Sequence, residues 1–215
     1  MTQPARARRR RVRMTNSQRH EQLIDVAREL FAEKGYEGTS VEEIAARAQV
    51  SKPVVYEHFG GKEGVYNVVV ERETETLHSA IRAALTTPKA SPRELLEYGA
   101  LALLGYIDDR PDGFRIMSRD SKIDSPDGCF ASILSDIAVQ VEDLLAQHFT
   151  ESGNDPKFAG LYSQALVGLV AMTGQQWLDQ REPSREVVAR HLINLAWNGM
   201  ANLDQKPVLR IESKL

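Results

Sequence analysis

Two short apolar-periodic segments with a very short gap between them constrain this chain more than any other feature. Thr39-Ser40-Val41-Glu42-Glu43-Ile44-Ala45 is followed closely by Val50-Ser51-Lys52-Pro53-Val54-Val55-Tyr56-Glu57-His58-Phe59, and then by Lys62. Val41, Ile44, Ala45 and Ala48 recur at helical spacing, and Val55 and Phe59, four apart, share one face. Ser40 with Glu43 reads as a capping box, and Thr39 with Glu42 fits nearly as well. Ser51 reads as the cap of the next helix, with Pro53 in its first turn, where a missing N–H does no harm. Gly60-Gly61 then breaks the chain. Two short helices around a tight turn cannot bury their apolar faces alone. The preceding helix, expected over 17–35, supplies the third face through Leu23, Ile24, Ala27, Leu30 and Phe31, and Gly35 ends it.

The rest of the chain also reads as helical. A long helix is expected from Lys62 to about Leu85, and Thr86-Thr87-Pro88-Lys89-Ala90-Ser91-Pro92 reads as a linker. Further helices are expected over Pro92–Asp108, Phe114–Ser121, Cys129–Phe149 and Pro156–Gln180, with a last one running to about Leu203. No segment alternates like a strand for more than a few residues. The expected fold class is all-α: an N-terminal three-helix helix-turn-helix domain and a C-terminal helical ligand-binding and dimerisation domain. The expected boundaries are an arm at 1–16, the first domain at 17–77 and the second at 78–215.

Composition fits a soluble folded protein: 42% of residues are hydrophobic and 27% charged. The single cysteine, Cys129, cannot form an internal bridge, which points to a reducing compartment, the cytoplasm. Phe158 to Leu178 carries no charge, a length that could span a membrane. It contains Ser163, Gln164, Thr173, Gln175 and Gln176, however, and so reads as a buried or interface helix.

Charge is distributed unevenly. Residues 1–14 hold six arginines and no acid, which leaves 21 basic and 30 acidic residues and a net charge of −9 over 15–215. A basic arm on an acidic body fits nucleic-acid binding, although a solvated tail has the same composition. Within 15–62 there are six basic and eight acidic residues, so the helical module itself is not basic. With Val55 and Phe59 packed on Ile44, Ala45 and Phe31, the outer side of the third helix exposes Lys52, Val54, Tyr56, Glu57 and His58. Lys52 can reach a guanine edge or a phosphate, and Val54 a thymine methyl. Tyr56 and His58 can donate to phosphates, and Lys62 adds charge at the start of the fourth helix. Each of these residues alone is commonplace; the combination points to DNA.

The combination resembles the DNA-binding domain of TetR-type transcriptional regulators over about Gln18 to Leu77. The matching pattern is Ala27-x-x-Leu30-Phe31-x-x-x-Gly35-Tyr36-x-x-Thr39-Ser40-Val41-x-x-Ile44-Ala45, then Val50-Ser51-Lys52-x-x-x-Tyr56-x-His58-Phe59-x-x-Lys62-Glu63. The resemblance implies DNA contacts at Ser40, Lys52, Val54, Tyr56, His58 and Lys62. Ser51 at the cap and Arg8, Arg9, Arg10 and Arg11 of the arm complete the expected set. Gln49 stands where the family often has Gly, so a left-handed backbone is expected there. Gly61 stands where Ser, Asn or Asp is common, and glycine is an acceptable cap.

The resemblance also implies that the C-terminal domain dimerises and binds a small effector. Ala165, Gly168, Ala171, Gly174, Ala189 and Ala196 would let the last two long helices approach a second copy closely. An apolar pocket between helices is expected, with Tyr98, Leu101, Leu104, Met117, Phe130, Leu134, Leu169, Met172 and Trp177 as candidate walls. The effector expected from these residues is hydrophobic. Gln176-Trp177-Leu178-Asp179 with Ala196-Trp197 looks similar to actinobacterial TetR-type regulators of fatty-acid synthesis that sense acyl-CoA. Enzyme readings find little support. The five histidines show no paired ligand spacing, Cys129 has no identifiable base, and no nucleotide-binding fingerprint occurs. No cofactor is expected. The expected function is a homodimeric repressor released from a palindromic operator by a hydrophobic molecule. The rival readings are an activator or protein-switched regulator, and a helical enzyme or lipid carrier with a vestigial DNA module.

Overall fold

The structure is a computed structural model that describes residues 14–119 and 130–208. The arm residues Arg8, Arg9, Arg10 and Arg11, and Cys129, lie outside the described residues. Among the described residues there are nine α-helices and no strand. Packing divides the chain into two units, 1–66 and 67–215. The division falls inside one helix, ahead of the 77/78 boundary expected from the sequence.

The first unit holds α1 (Asn16–Lys34), α2 (Val41–Arg47), α3 (Lys52–Phe59) and the first turn of α4 (Lys62–Leu85). Local signals set most of these ends. Thr15 caps α1 in a reciprocal box with Gln18, one residue earlier than expected, and Ser40 does the same for α2 with Glu43. Ser51 occupies the α3 cap position without a side-chain cap bond, so the expected cap is positional only. Gln49 sits at φ 56 in the α2–α3 turn, the left-handed backbone expected of it. Thr39 does not cap α2; it is buried, and its hydroxyl donates to the Gly35 carbonyl at 2.9 Å. Leu23, Ala27, Leu30, Phe31, Ile44, Ala48 and Val55 are all at most 1% exposed and form this unit's core.

The second unit holds the rest of α4, then α5 (Pro92–Asp109), α6 (Pro111–Arg119), α7 (Phe130–Ser152), a 3-10 turn (Pro156–Phe158), α8 (Ala159–Trp177) and α9 (Arg185–Met200). Several ends differ from expectation, among them the end of α8, which stops at Trp177 instead of Gln180. Pro111 opens α6 three residues ahead of the expected Phe114, because a proline in the first helical position loses no bond. The helix α7 runs on to Ser152, and Gly153 follows at φ 78. Pro156–Phe158 forms a separate turn, with the Asp155 side chain accepting from the Lys157 N–H, so α8 starts at Ala159. The last helix stops at Met200 instead of Leu203. α8 lies along α7 and against α5, and α9 lies on α5. No described helix is long and apolar enough to cross a membrane.

One polar cluster interrupts the apolar core of this unit. Glu73 of α4 is buried, with its side chain 2% exposed. Arg110 donates to both of its oxygens, Nε to Oε2 at 2.8 Å and Nη2 to Oε1 at 2.6 Å. The Tyr106 hydroxyl donates to Oε2 at 2.9 Å. Burial first, and then the Glu73 carboxylate, push the Tyr106 hydroxyl well above its usual pKa, so it remains a donor. Gly113 makes room for the cluster, since a Cβ there would fall on the Glu73 carboxylate.

Candidate nucleic-acid interface

The α2–α3 turn is closed by its own backbone. Ala48 N–H donates to Ile44, Gln49 N–H to Ala46 and Val50 N–H to Ala45, at 2.9, 3.1 and 2.9 Å. Gln22 of α1 also reaches the Ala48 carbonyl at 3.3 Å. Val55 is fully buried, and α2 packs on both α1 and α3. With Val55 turned inward, Lys52, Tyr56 and Glu57 face solvent and Val54 is half-buried. Tyr56 is 46% exposed, an unusually open position for a large ring.

Phe59 does not join Val55 in the core. It is half-buried and stacks on His20 of α1 at 4.5 Å between ring centres. His58 lies beside the same pair, 5.6 Å from the His20 ring. The expectation that Phe59 packs on Ile44, Ala45 and Phe31 is therefore corrected, because at the end of α3 it meets the start of α1 instead. His20 was not expected at this surface.

Lys62 is held in place rather than free in solvent. Its ammonium donates to the Tyr36 carbonyl at 3.0 Å and sits 4.1 Å from the centre of the Tyr36 ring. The Tyr36 and Tyr66 rings meet edge to face at 4.9 Å, and Phe31 meets Tyr66 edge-on at 5.1 Å. Ser40 keeps its hydroxyl on Glu43, from whose N–H it accepts at 3.2 Å. Lys52 pairs with Glu42 of α2 across the turn and lies 5.6 Å from the Tyr56 ring. The hydrogen bond from Lys52 holds the Glu42 carboxyl below its usual range, and the same bond raises the Lys52 ammonium. Glu42 thus stays ionised at neutral pH.

Within this unit each of the six basic residues from 14 to 66 has an intramolecular partner. Arg28 meets Asp25, Lys34 meets Glu43, Arg47 meets Glu33 and Lys52 meets Glu42, while Arg19 meets Gln22 and Lys62 meets Tyr36. The part played by Glu42 is not evident from the sequence. Ten positions separate it from Lys52, and only the closed turn brings them together.

The 67–215 unit contains a narrow apolar cleft of about 50 Å³ that opens to solvent. Ile81 and Leu85 of α4, Leu96, Gly99 and Ala100 of α5, Ile137 and Val141 of α7, Leu166 and Leu169 of α8, and Ala196 of α9 contribute to its walls. Of the nine candidate walls, Leu169 is in this cleft and the other eight lie elsewhere. Leu104, Met117, Phe130 and Trp177 are buried in the core, and Leu134 packs against it. Trp177 donates its ring N–H to the Pro183 carbonyl at 2.6 Å. Tyr98, Leu101 and Met172 are exposed by 42, 36 and 51%. Gly99 is tightly placed, since a Cβ there would stand 3.1 Å from Leu85 Cδ2.

A first helix packed across a second, which presents a lysine and a tyrosine on its outer side, is the arrangement of a helix-turn-helix DNA-binding module. Residues 23–69 match the family described as bacterial regulatory proteins, tetR family, and residues 80–209 match the tetracyclin repressor-like C-terminal domain. The chain belongs to the TetR family of transcriptional regulators. It is 28% identical over 208 residues to the HTH-type transcriptional activator FasR of Mycolicibacterium smegmatis, covering 93% of this chain and 91% of FasR. A TetR-like transcriptional regulator from Rhodococcus sp. RHA1 is similar in structure, with a TM-score of 0.72 at 27% identity over 89% of this chain and all of that one. The TetR family regulator PfmR of Thermus thermophilus superposes with a TM-score of 0.68 at 24% identity, over 90% of this chain and all of PfmR, which speaks for the fold alone.

Proposed function

We propose that the protein is a homodimeric repressor that binds a palindromic operator through α3 and is released by a hydrophobic small molecule, of which a fatty acyl-CoA is one candidate. The observation that carries the DNA part is the outward face of α3. Lys52 and Tyr56 stand exposed there on a turn whose backbone is closed and whose underside is fully packed. Lys62 and Tyr56 serve as phosphate donors, Lys52 as a base reader, and Ser40, Ser51, Val54 and His58 flank them. The arginines Arg8 to Arg11 add sequence-independent attraction. In the dimer the two α3 helices would lie one DNA turn apart, roughly 34–36 Å. The test is binding to a duplex selected by the protein from a randomised pool. Tyr56→Ala and Lys62→Ala should each weaken binding to every sequence by about tenfold, whereas Lys52→Ala should also relax base preference at one position. Unchanged binding of the Tyr56 and Lys62 variants across a salt titration would overturn the groove assignment.

Two features support a dimer formed through α8 and α9. Leu161, Ala165, Gly168 and Met172 make one stripe along α8, and Leu161 and Met172 are 66 and 51% exposed. Leu195 on α9 is 65% exposed, and a Cβ at Gly168 or Gly199 would meet nothing within 4 Å of the same protomer. The cleft supports the effector part: its walls are hydrocarbon, and Ile81 and Leu85 belong to α4, which continues from the first unit into the second. A ligand there would press directly on that helix. It would change operator affinity by its preference between two settings, typically ~1–3 kcal/mol. Purified protein is expected to sediment as a dimer and to release a hydrophobic molecule on denaturation, detected by mass spectrometry. Gly168→Ala should weaken the dimer even though alanine favours an isolated helix by about 1 kcal/mol. A monomeric wild type, or a dimer indifferent to Gly168→Ala, would refute the interface.

A second reading, an activator on the same DNA contacts, is favoured by one observation: FasR, matched over nearly the whole chain, is named an activator. Reporter expression in a deletion strain separates the two by its sign.

A further inference from the structure

We propose that Glu42 and Lys52 act together as the reader of a single G·C base pair, with Lys52 donating to guanine and Glu42 accepting from the cytosine opposite. The inference rests on the reading that α3 enters the major groove.

Glu42 lies at the second position of α2 and Lys52 at the first of α3, and the closed turn sets them side by side. Both are open to solvent, with side chains 62 and 46% exposed. Lys52 points outward near the Tyr56 ring, so its partner Glu42 shares that surface. A cation and an anion in contact form a donor beside an acceptor. The major-groove edge of a G·C pair is the complement: guanine offers O6 and N7 as acceptors, and cytosine offers the N4 amino group as a donor. Both side chains can therefore exchange their mutual contact for base contacts with nothing left unpaired.

A phosphate gives a different outcome. It accepts from Lys52 but offers Glu42 no donor, and it places a negative charge near the carboxylate. An A·T pair in the same place sets the adenine amino group where Lys52 needs an acceptor and the thymine O4 where Glu42 needs a donor, so it cannot serve both residues in the same docking position. The pair thus resists non-specific backbone binding while fitting one base pair. This gives a purpose to an acid on a DNA-facing surface, where its charge alone would be unfavourable.

The experiment selects duplexes from a randomised pool with the full-length dimer and then measures affinity for every single-base change in one half-site. Wild type should show one position where replacing G·C by A·T costs about tenfold or more, the usual size of a good base contact. Glu42→Ala and Lys52→Ala should both flatten that same position and leave the others unchanged. Glu42→Gln, whose carboxamide oxygen can still accept from cytosine, should keep most of the preference. A purely structural role for Glu42 would not produce this base-resolved pattern or its rescue. Circular dichroism melts confirm that each variant is folded. If Lys52→Ala flattens a position and Glu42→Ala does not, or flattens a different one, this inference fails while the groove reading stands. If Glu42→Ala raises affinity for all duplexes equally, the ion pair is a plain restraint and the inference is overturned. If Lys52→Ala flattens nothing, the groove reading fails as well.

Discussion

Arg110→Ala is expected to lower the stability of the 67–215 unit by about 3 kcal/mol. In a unit of this size that is roughly a 10 °C fall in melting midpoint. The substitution removes the cation from a carboxylate whose side chain is only 2% exposed. Uncompensated buried charge, rather than a lost contact, makes up most of the cost. Replacing Glu73 and Arg110 together by leucine should therefore cost less than Arg110→Ala alone. Gly113→Ala tests the same cluster from the other side. Its new methyl would fall on the Glu73 carboxylate and stand 2.8 Å from the Tyr106 hydroxyl, so a comparable loss is expected. Thermal unfolding followed by circular dichroism measures all three. A shift below about 2 °C for Arg110→Ala would mean that Glu73 does not depend on this cation.

The second large effect is expected from Phe31→Ala. Phe31 is 1% exposed and supports the Tyr66 ring at 5.1 Å. Truncating a buried phenylalanine costs about 3–5 kcal/mol. A unit as small as 1–66 has little stability in reserve, because small units bury a smaller share of their surface. The expected result is loss of protease resistance in the first unit and loss of binding to the selected duplex. The helices of the second unit should persist. Phe31→Leu, which fills more of the space, should retain partial binding. Wild-type affinity in the alanine variant would show that Phe31 is not needed to hold α3 in place.

The helix-turn-helix was legible in the sequence because its signals are local. Ser40 with Glu43, Gly35, and Gln49 in the turn each act within a few residues, and each ends or caps a helix where expected. The features that were not legible depend on distant partners. Glu73 lies in register with Val69 and Leu77 on the buried stripe of α4, and a charge in that stripe was the available clue. Its partners Tyr106 and Arg110 are more than thirty residues away. Glu42 finds Lys52 only across the closed turn.

The cleft was not legible for a different reason. Large apolar side chains mark where space is filled, not where it is left open. Leu104, Phe130 and Trp177 accordingly lie in the core, while the cleft opens where Gly99, Ala100 and Ala196 leave room. Tyr98 and Leu101 sit on another side of α5 from Gly99 and Ala100 and remain exposed. Size at single positions, which periodicity does not report, decided the outcome.

Gly99 carries a consequence for how chains of this kind diverge. The residue there limits the width of the cleft and, through Leu85, touches the end of α4. Cleft width and helix position are therefore not independent traits. One methyl group at position 99 would narrow the cleft and press on the Leu85 side chain in the same step. The shape of the cleft and the packing at the end of α4 are then neighbours in sequence space, separated by a single codon.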